Sequence, residues 1–277
     1  MTAETSQSFD SLEMSSEGGV TCVTINQPPT NLLDQALIRQ LDSLSRLLQK
    51  DRETRVVVFR SADRDFFIPH ADVQMIRDQK LSSHEVITEP NGFQRMTERF
   101  RLLPQVTIGQ IEGQVGGGGS ELLLALDMRF AAIDRAFLSQ PEVALGIIPG
   151  GGGTQGLATH VGRSRALEIV LGCDSFDAVQ AERYGYVNRA LPPDQITAFV
   201  DRLAKRIARF PTKAIQRAKA SVDAALQGRH DGLTEENNHF QKLLKIDESG
   251  QRMDRFLQKG GQTREGERGL IELLSRI

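Results

Sequence analysis

Val106-Thr107-Ile108-Gly109-Gln110-Ile111, followed by Gly116-Gly117-Gly118-Gly119-Ser120-Glu121 and the apolar run Leu122-Leu123-Leu124-Ala125-Leu126, is the stretch whose reading decides the fold. The first six residues are mostly β-branched and apolar and predict a strand. Four glycines break it, and Ser120 to Leu126 predicts a strongly apolar helix. The same alternation extends outward. Upstream, Val20 to Ile25 alternates as a strand, and Leu33, Leu37, Leu41, Leu44 and Leu48 form a helical stripe. Arg55 to Arg60 is a short strand of buried type, Phe66 to Val73 a loop interrupted by Pro69, and Phe93, Met96 and Phe100 mark a helix ended by Pro104. Downstream come short strands at Arg129–Ile133 and Ala136–Leu138, then a second glycine turn, Pro149 to Thr154. Helices are expected over 163–172, 177–184, 194–209 and 211–226, with a charged tail from Glu235. This βα alternation predicts an α/β fold, a sheet covered by helices, with the helical last hundred residues as an appended layer.

The chain has 277 residues, enough for one large core without disulfide staples. Its 34 Lys+Arg balance 36 Asp+Glu with no long run of either sign, which argues against a nucleic-acid partner. No apolar stretch approaches the roughly 20 residues that span a bilayer. The polar N-terminus lacks the basic and apolar regions of a secretory signal, so a cytoplasmic location is expected. Cys22 and Cys173 stand far apart without a CxxC partner, and the five histidines include no HExxH pair. Neither pattern supports a metal site.

Gly151-Gly152-Gly153-Thr154-Gln155-Gly156 satisfies GxGxxG, with Asp174 at a plausible distance for a ribose contact. The context is wrong for a dinucleotide: Pro149 and a fourth glycine precede the motif where a strand should end. Neither glycine run ends in the Gly-Lys-Ser/Thr of a phosphate loop. The first run opens a helix, where uncovered backbone N–H groups stabilise a negatively charged oxygen. Glu121 lies just inside that helix and Glu142 follows Pro141 among apolar residues. Each has an ordinary reading, a first-turn acid facing the helix dipole or a helix-start residue. Together they flank an anion-stabilising turn, and two carboxylates in different environments can divide the roles of acid and base.

These residues carry a resemblance. Gly113 to Glu121, Gln140-Pro141-Glu142, Leu145 to Gln155, Pro29-Thr30-Asn31-Leu32-Leu33, Val56-Val57-Val58-Phe59 and Ala178 to Val187 are similar to the crotonase (enoyl-CoA hydratase/isomerase) superfamily, in order, from about Val20 to Ala225. The resemblance implies a repeated ββα spiral core with a helical C-terminal trimerisation region, assembled as a homotrimer or homohexamer. The expected division is a flexible segment 1–18, an acyl-CoA-binding core 19–190 and a helical region 191–277. It also implies an acyl-CoA thioester substrate and no cofactor beyond the coenzyme A that the substrate carries, with no metal, nucleic acid or membrane involved. By position, the oxyanion hole falls on the Ala71 and Gly118 amides and the catalytic glutamates on Glu121 and Glu142. Phe67, Pro69, His70, Asp72 and Gly117 would contact the substrate.

The loop departs from the family pattern. Where that pattern resembles Phe-x-Ala-Gly-Ala-Asp, this chain has Pro69-His70 before Ala71-Asp72. Proline removes a donor and fixes φ, and histidine replaces a residue free to adopt φ > 0. His70 is expected as a packed substitute rather than a catalytic group, and restoring Ala and Gly is expected to change turnover little. Retention of both glutamates points to water addition across a 2-enoyl-CoA. The alternatives are another reaction on the same fold (isomerase, hydrolase, decarboxylase or C–C lyase) or a non-catalytic acyl-CoA-binding protein. The irregular segment 74–92, with Met75, Ile76, Val86 and Ile87, is expected to line the acyl pocket. Apolar positions in the C-terminal helices (Ile196, Phe199, Leu203, Ile207, Phe240, Leu243, Leu244) suggest an assembly surface.

Overall fold

A computed structural model describes residues 9–79, 88–223, 237–238, 240–274 and 276–277. Val86 and Ile87 of the expected acyl-pocket segment lie outside the described residues.

Strand β1 (Leu12–Glu17) runs antiparallel to β2 (Val20–Ile25). This corrects the expectation of a flexible segment reaching residue 18. Gly18 and Gly19 both adopt positive φ (58° and 80°), the geometry of the tight hairpin turn whose twist matches paired strands. Helix α1 (Gln35–Lys50) follows, started by the Asp34 side chain accepting the Leu37 N–H, and buries Leu37, Leu41, Leu44 and Leu48 as their spacing predicts.

Three successive units then each give one strand to each of two sheets. The first is β3 (Val56–Ser61) and β4 (Phe66–Ile68), followed by α2 (Val73–Arg77) and α3 (Gly92–Arg101). The second is β5 (Val106–Ile111) and β6 (Gln114–Gly116), followed by α4 (Gly117–Ala125). The third is β7 (Met128–Ala132) and β8 (Phe137–Ser139), followed by a 3-10 turn (Glu142–Leu145) and α5 (Gly153–Val161). After α6 (Arg163–Gly172) come β9 (Phe176–Asp177), α7 (Ala178–Tyr184) and β10 (Arg189–Leu191). The larger sheet has the order β1-β2-β3-β5-β7-β10, parallel except at β1, and the smaller is β4-β6-β8-β9. This strand-to-strand alternation between sheets, with a helix closing each unit, is the expected ββα spiral. Phe66–Ile68, expected as loop, is a strand because all three residues are buried and Phe66 and Ile68 pair with β6.

Helix α8 (Ile196–Ile207) covers one face of the larger sheet, packing Ile196, Val200 and Ala204 on Val56, Val58, Ile108 and Phe130. Phe199, Leu203 and Ile207 lie against the same cluster. Phe240, Leu243 and Leu244 pack with α10 (Asp247–Gln258) and α12 (Leu270–Leu274) around α2 and the 3-10 turn. The apolar surplus that suggested assembly is thus largely used inside the chain. Between α10 and α12 lies the one-turn helix α11 (Arg264–Arg268), and α9 (Thr212–Asp223) is tied down by Lys219, which bonds Asp127 at 2.7 Å. No helix among the described residues is long and apolar enough to cross a membrane.

Candidate active site

Helix α4 begins at Gly117, three residues before the sequence suggested, and every residue in it is buried. It carries no amphipathic face because the sheets and α5 surround it, and Glu121 is its one charged residue. Since Glu121 is the fifth residue of the helix, it lies beyond the first turn and is no capping acid. The first-turn amides of Gly117, Gly118 and Gly119 have no acceptor within the helix, and the N-cap Gly116 supplies no side chain to them.

Ala71 approaches this turn from the loop after β4. It forms an isolated parallel bridge with Leu33: the Leu33 N–H donates to His70 O at 3.0 Å, and the Asp72 N–H donates to Leu33 O at 3.0 Å. In a trans peptide the N–H points opposite to the C=O. The Ala71 N–H therefore faces away from Leu33. A Cβ built on Gly118 would stand 3.8 Å from the Ala71 nitrogen and 3.4 Å from its Cβ, which places the two residues side by side.

Glu121 is 6% exposed, and its Oε1 accepts the Gly151 N–H at 2.7 Å and the Gly153 N–H at 3.0 Å. This explains the GxGxxG match: the second glycine turn cradles the protein's own carboxylate. Glu142, 8% exposed, opens the 3-10 turn as its position after proline suggests, and Gln140 Nε2 donates to its Oε2 at 3.4 Å. Its Oε1 sits against Gly117, whose φ of 48° and close approach (2.9 Å from a built Cβ) leave no room for a side chain.

These groups share one cavity of about 1060 Å³, lined by Leu33, Ala71, Gly118, Glu121, Glu142 and Gly151 among others. Met75 and Ile76 line it as expected, although they belong to α2 rather than to an irregular segment. Asp72 reaches the cavity while capping α2, its Oδ1 accepting the Gln74 N–H at 2.8 Å and the Met75 N–H at 3.2 Å. Phe67 and Pro69 are buried and do not line it; Phe67 belongs to the main core. Gly117 also lies behind the lining, against Glu142 and His70.

His70 is packed, as expected, but it is also paired. Its Nδ1 is 2.8 Å from Ala71 O and its Nε2 is 2.7 Å from Glu267 Oε1, with the two residues 4% and 0% exposed. Burial opposes protonation, yet the Glu267 charge and hydrogen bond, the Ala71 carbonyl and the Glu142 charge together raise the His70 pKa above its ordinary value. The C-terminal region also supplies Phe240, Phe256, Leu270 and Leu274 to the cavity wall. Sequence reasoning missed this group. Glu267 lies in the charged string Arg264-Glu265-Gly266-Glu267-Arg268, which reads as a solvated surface.

A spiral of two sheets brings Ala71, Gly118 and two buried carboxylates to one cavity, the arrangement expected of the crotonase class. The enoyl-CoA hydratase/isomerase family profile matches residues 15–266, and the chain belongs to that family. It is 32% identical over 253 residues to the 2,3-dehydroadipyl-CoA hydratase of Escherichia coli K12, covering 90% of this chain and 96% of that protein. It is 27% identical over 245 residues to a short-chain-enoyl-CoA hydratase of Clostridium acetobutylicum, covering 88% of this chain and 93% of the relative. Among solved structures, a candidate enoyl-CoA hydratase from Streptomyces avermitilis superposes with a TM-score of 0.90 at 40% identity, covering 97% of this chain and 98% of the other.

Proposed function

We propose that the protein hydrates a 2-enoyl-CoA thioester. The observation that carries this reading is the meeting of Glu121, Glu142, Gly118 and Ala71 on one cavity wall. The thioester oxygen sits between the Ala71 and Gly118 amides, which stabilise the negative charge that develops there in the transition state. Glu121, held by Gly151 and Gly153, takes a proton from water as the water oxygen bonds to Cβ. The π electrons of the C=C bond move toward the thioester, and Glu142 delivers a proton to Cα. Return of one proton from Glu121 to Glu142 resets the pair, so one water adds across the double bond. The reaction asks for no cofactor beyond the coenzyme A of the substrate.

The same proposal includes a cytoplasmic homotrimer or homohexamer, with residues 191–277 serving assembly as well as the cavity wall. The division at residue 190 belongs to it too. Helix α6 leaves Leu167 and Leu171 exposed, which supports a further contact surface. Loss of enoyl absorbance with 2-enoyl-CoAs of increasing chain length is the test, with product identification to separate hydration from double-bond migration or thioester hydrolysis. No hydrated product from any chain length overturns the proposal.

A further inference from the structure

Both ring nitrogens of His70 face acceptors. Ala71 O cannot donate, so Nδ1, 2.8 Å away, carries a hydrogen. The 2.7 Å line from Nε2 to Glu267 Oε1 also needs a proton, on one atom or the other. Without it, an imidazole lone pair would face a carboxylate oxygen with no water to separate them. Glu267 is fixed in turn: its Oε1 accepts the Gln262 N–H at 2.7 Å, while Oε2 has no partner among the described residues. The Phe256 ring stands edge-on to the imidazole, with centroids 5.7 Å apart. A second tie joins the same two segments, Gln262 Nε2 donating to Asp72 Oδ1 at 2.9 Å.

Ala71 lies between these ties. The peptide before it is oriented by Leu33, and the peptide after it by Leu33 on one side and the His70 ring on the other. We propose that the buried His70–Glu267 pair is a positioning device that uses one proton to hold the Ala71 amide toward the cavity, making the turn 260–267 part of the catalytic apparatus. His70 and Glu267 are positioning residues: they act through Ala71. The inference rests on the reading of Ala71 as an oxyanion donor.

The charged groups acting on the imidazole are Glu267 from α11 and Glu142 from the 3-10 turn; Asp72, in the same loop, is bonded by Gln262. Helix α10 meets it with Phe256 and α4 with Gly117, whereas Arg264 and Arg268 turn outward to Asp63 and Asp65. The His70 pKa is raised, so the hold is complete below the ordinary value of about 6.5. It is lost as pH rises through the raised value.

The test compares wild type, Glu267→Gln and Glu267→Ala by the pH dependence of kcat and KM for crotonyl-CoA. It also follows the carbonyl stretch of bound acetyl-CoA labelled with ¹³C at the thioester carbon, which reports hole polarisation without turnover. In wild type, kcat and the carbonyl red-shift should fall together on the alkaline side. Glu267→Gln keeps the shape and removes the charge; its amide oxygen, which has to stay where it accepts the Gln262 N–H, bonds Nε2 only when the imidazole is protonated. It should move the alkaline limb to lower pH, because the charge that raises the His70 pKa is gone. Glu267→Ala should lower kcat roughly 100-fold, the scale of one lost oxyanion donor, with KM moved less than about threefold. An alkaline limb unchanged in Glu267→Gln overturns the proposal, and so does a folded Glu267→Ala protein with wild-type kcat. If Glu267→Ala fails to fold, the Glu267→Gln comparison decides alone. Should wild type hydrate no enoyl-CoA yet keep a pH-dependent red-shift that Glu267→Gln moves to lower pH, the hydratase reading fails and the positioning role stands. Turnover with identical alkaline limbs in both proteins does the reverse: hydration stands and the positioning role falls.

Discussion

Gly151→Ala puts one methyl group where the second glycine turn meets Glu121. A Cβ at this position would overlap Glu121 Oε2 and stand 2.5 Å from the Phe93 ring. Both neighbours are packed, Phe93 against the main core and Glu121 inside a fully buried helix. The carboxylate has to retreat, and it loses alignment with the Gly151 N–H that it now accepts at 2.7 Å. A hydrogen bond to a charged group is worth about 1.5–3 kcal/mol. If the transition state depends on that alignment, the loss is roughly 10- to 150-fold in kcat. The assay is steady-state hydration of crotonyl-CoA, with binding of a saturated acyl-CoA measured beside it. Binding should change less than about threefold, because the proposed mechanism gives Glu121 the reacting water and not the coenzyme. Gly172→Ala in α6 is the control, since a Cβ there meets nothing within 4 Å. A Gly151→Ala enzyme that keeps kcat within about threefold of wild type refutes the view that the glycine turn exists to seat Glu121.

Three further outcomes are expected. Glu121→Gln and Glu142→Gln should each lower kcat far more than acyl-CoA affinity, and the double variant should be little worse than the poorer single; additive losses in log kcat would mean that the two act independently. Arg129→Met should lower the melting temperature by roughly 5–10 °C, following about 3 kcal/mol of lost stability. The buried guanidinium now donates to Leu123 O, Leu126 O and Tyr186 O, closing the C-terminal end of α4, and an unchanged melting temperature in differential scanning calorimetry would contradict that role. Light scattering at micromolar concentration should give a trimeric or hexameric mass, and a monomer refutes the assembly.

Much of the core was legible because its signals are local. The leucine spacing of α1 and the buried run of β3 each follow from their own residues. The carboxylates were legible because two glycine turns bracket them in sequence. What escaped depends on distant pairing. Phe66–Ile68 looks like loop until β6 supplies a partner, and the strand at residues 12–17 has only one buried residue to betray it. Glu267 is separated from His70 by 197 residues and sits among charges that ordinarily face water. Nothing in its neighbourhood signals burial; the signal lies in the loop, where a histidine large enough to need a partner occupies a tight turn.

That pairing reverses the expectation for restoring the family-like loop. His70→Gly would remove the imidazole hydrogen-bonded to a carboxylate that is 0% exposed, with Oε2 already unpartnered among the described residues. Breaking a buried pair by deleting one member costs about 3–5 kcal/mol, chiefly because a charge is stranded. His70→Gly should therefore destabilise the protein and lower kcat, not leave turnover unchanged. The two effects have different causes and can be separated. Adding Glu267→Leu to His70→Gly removes the stranded charge and fills its space, so stability to urea should return. The Ala71 carbonyl still lacks its ring partner, so kcat should stay low. If the double variant recovers stability and kcat together, the pair serves packing alone and the loop holds its amide without help. If stability recovers while kcat does not, the imidazole orients the donor, and the departure from the family pattern is a second way of building the same hole.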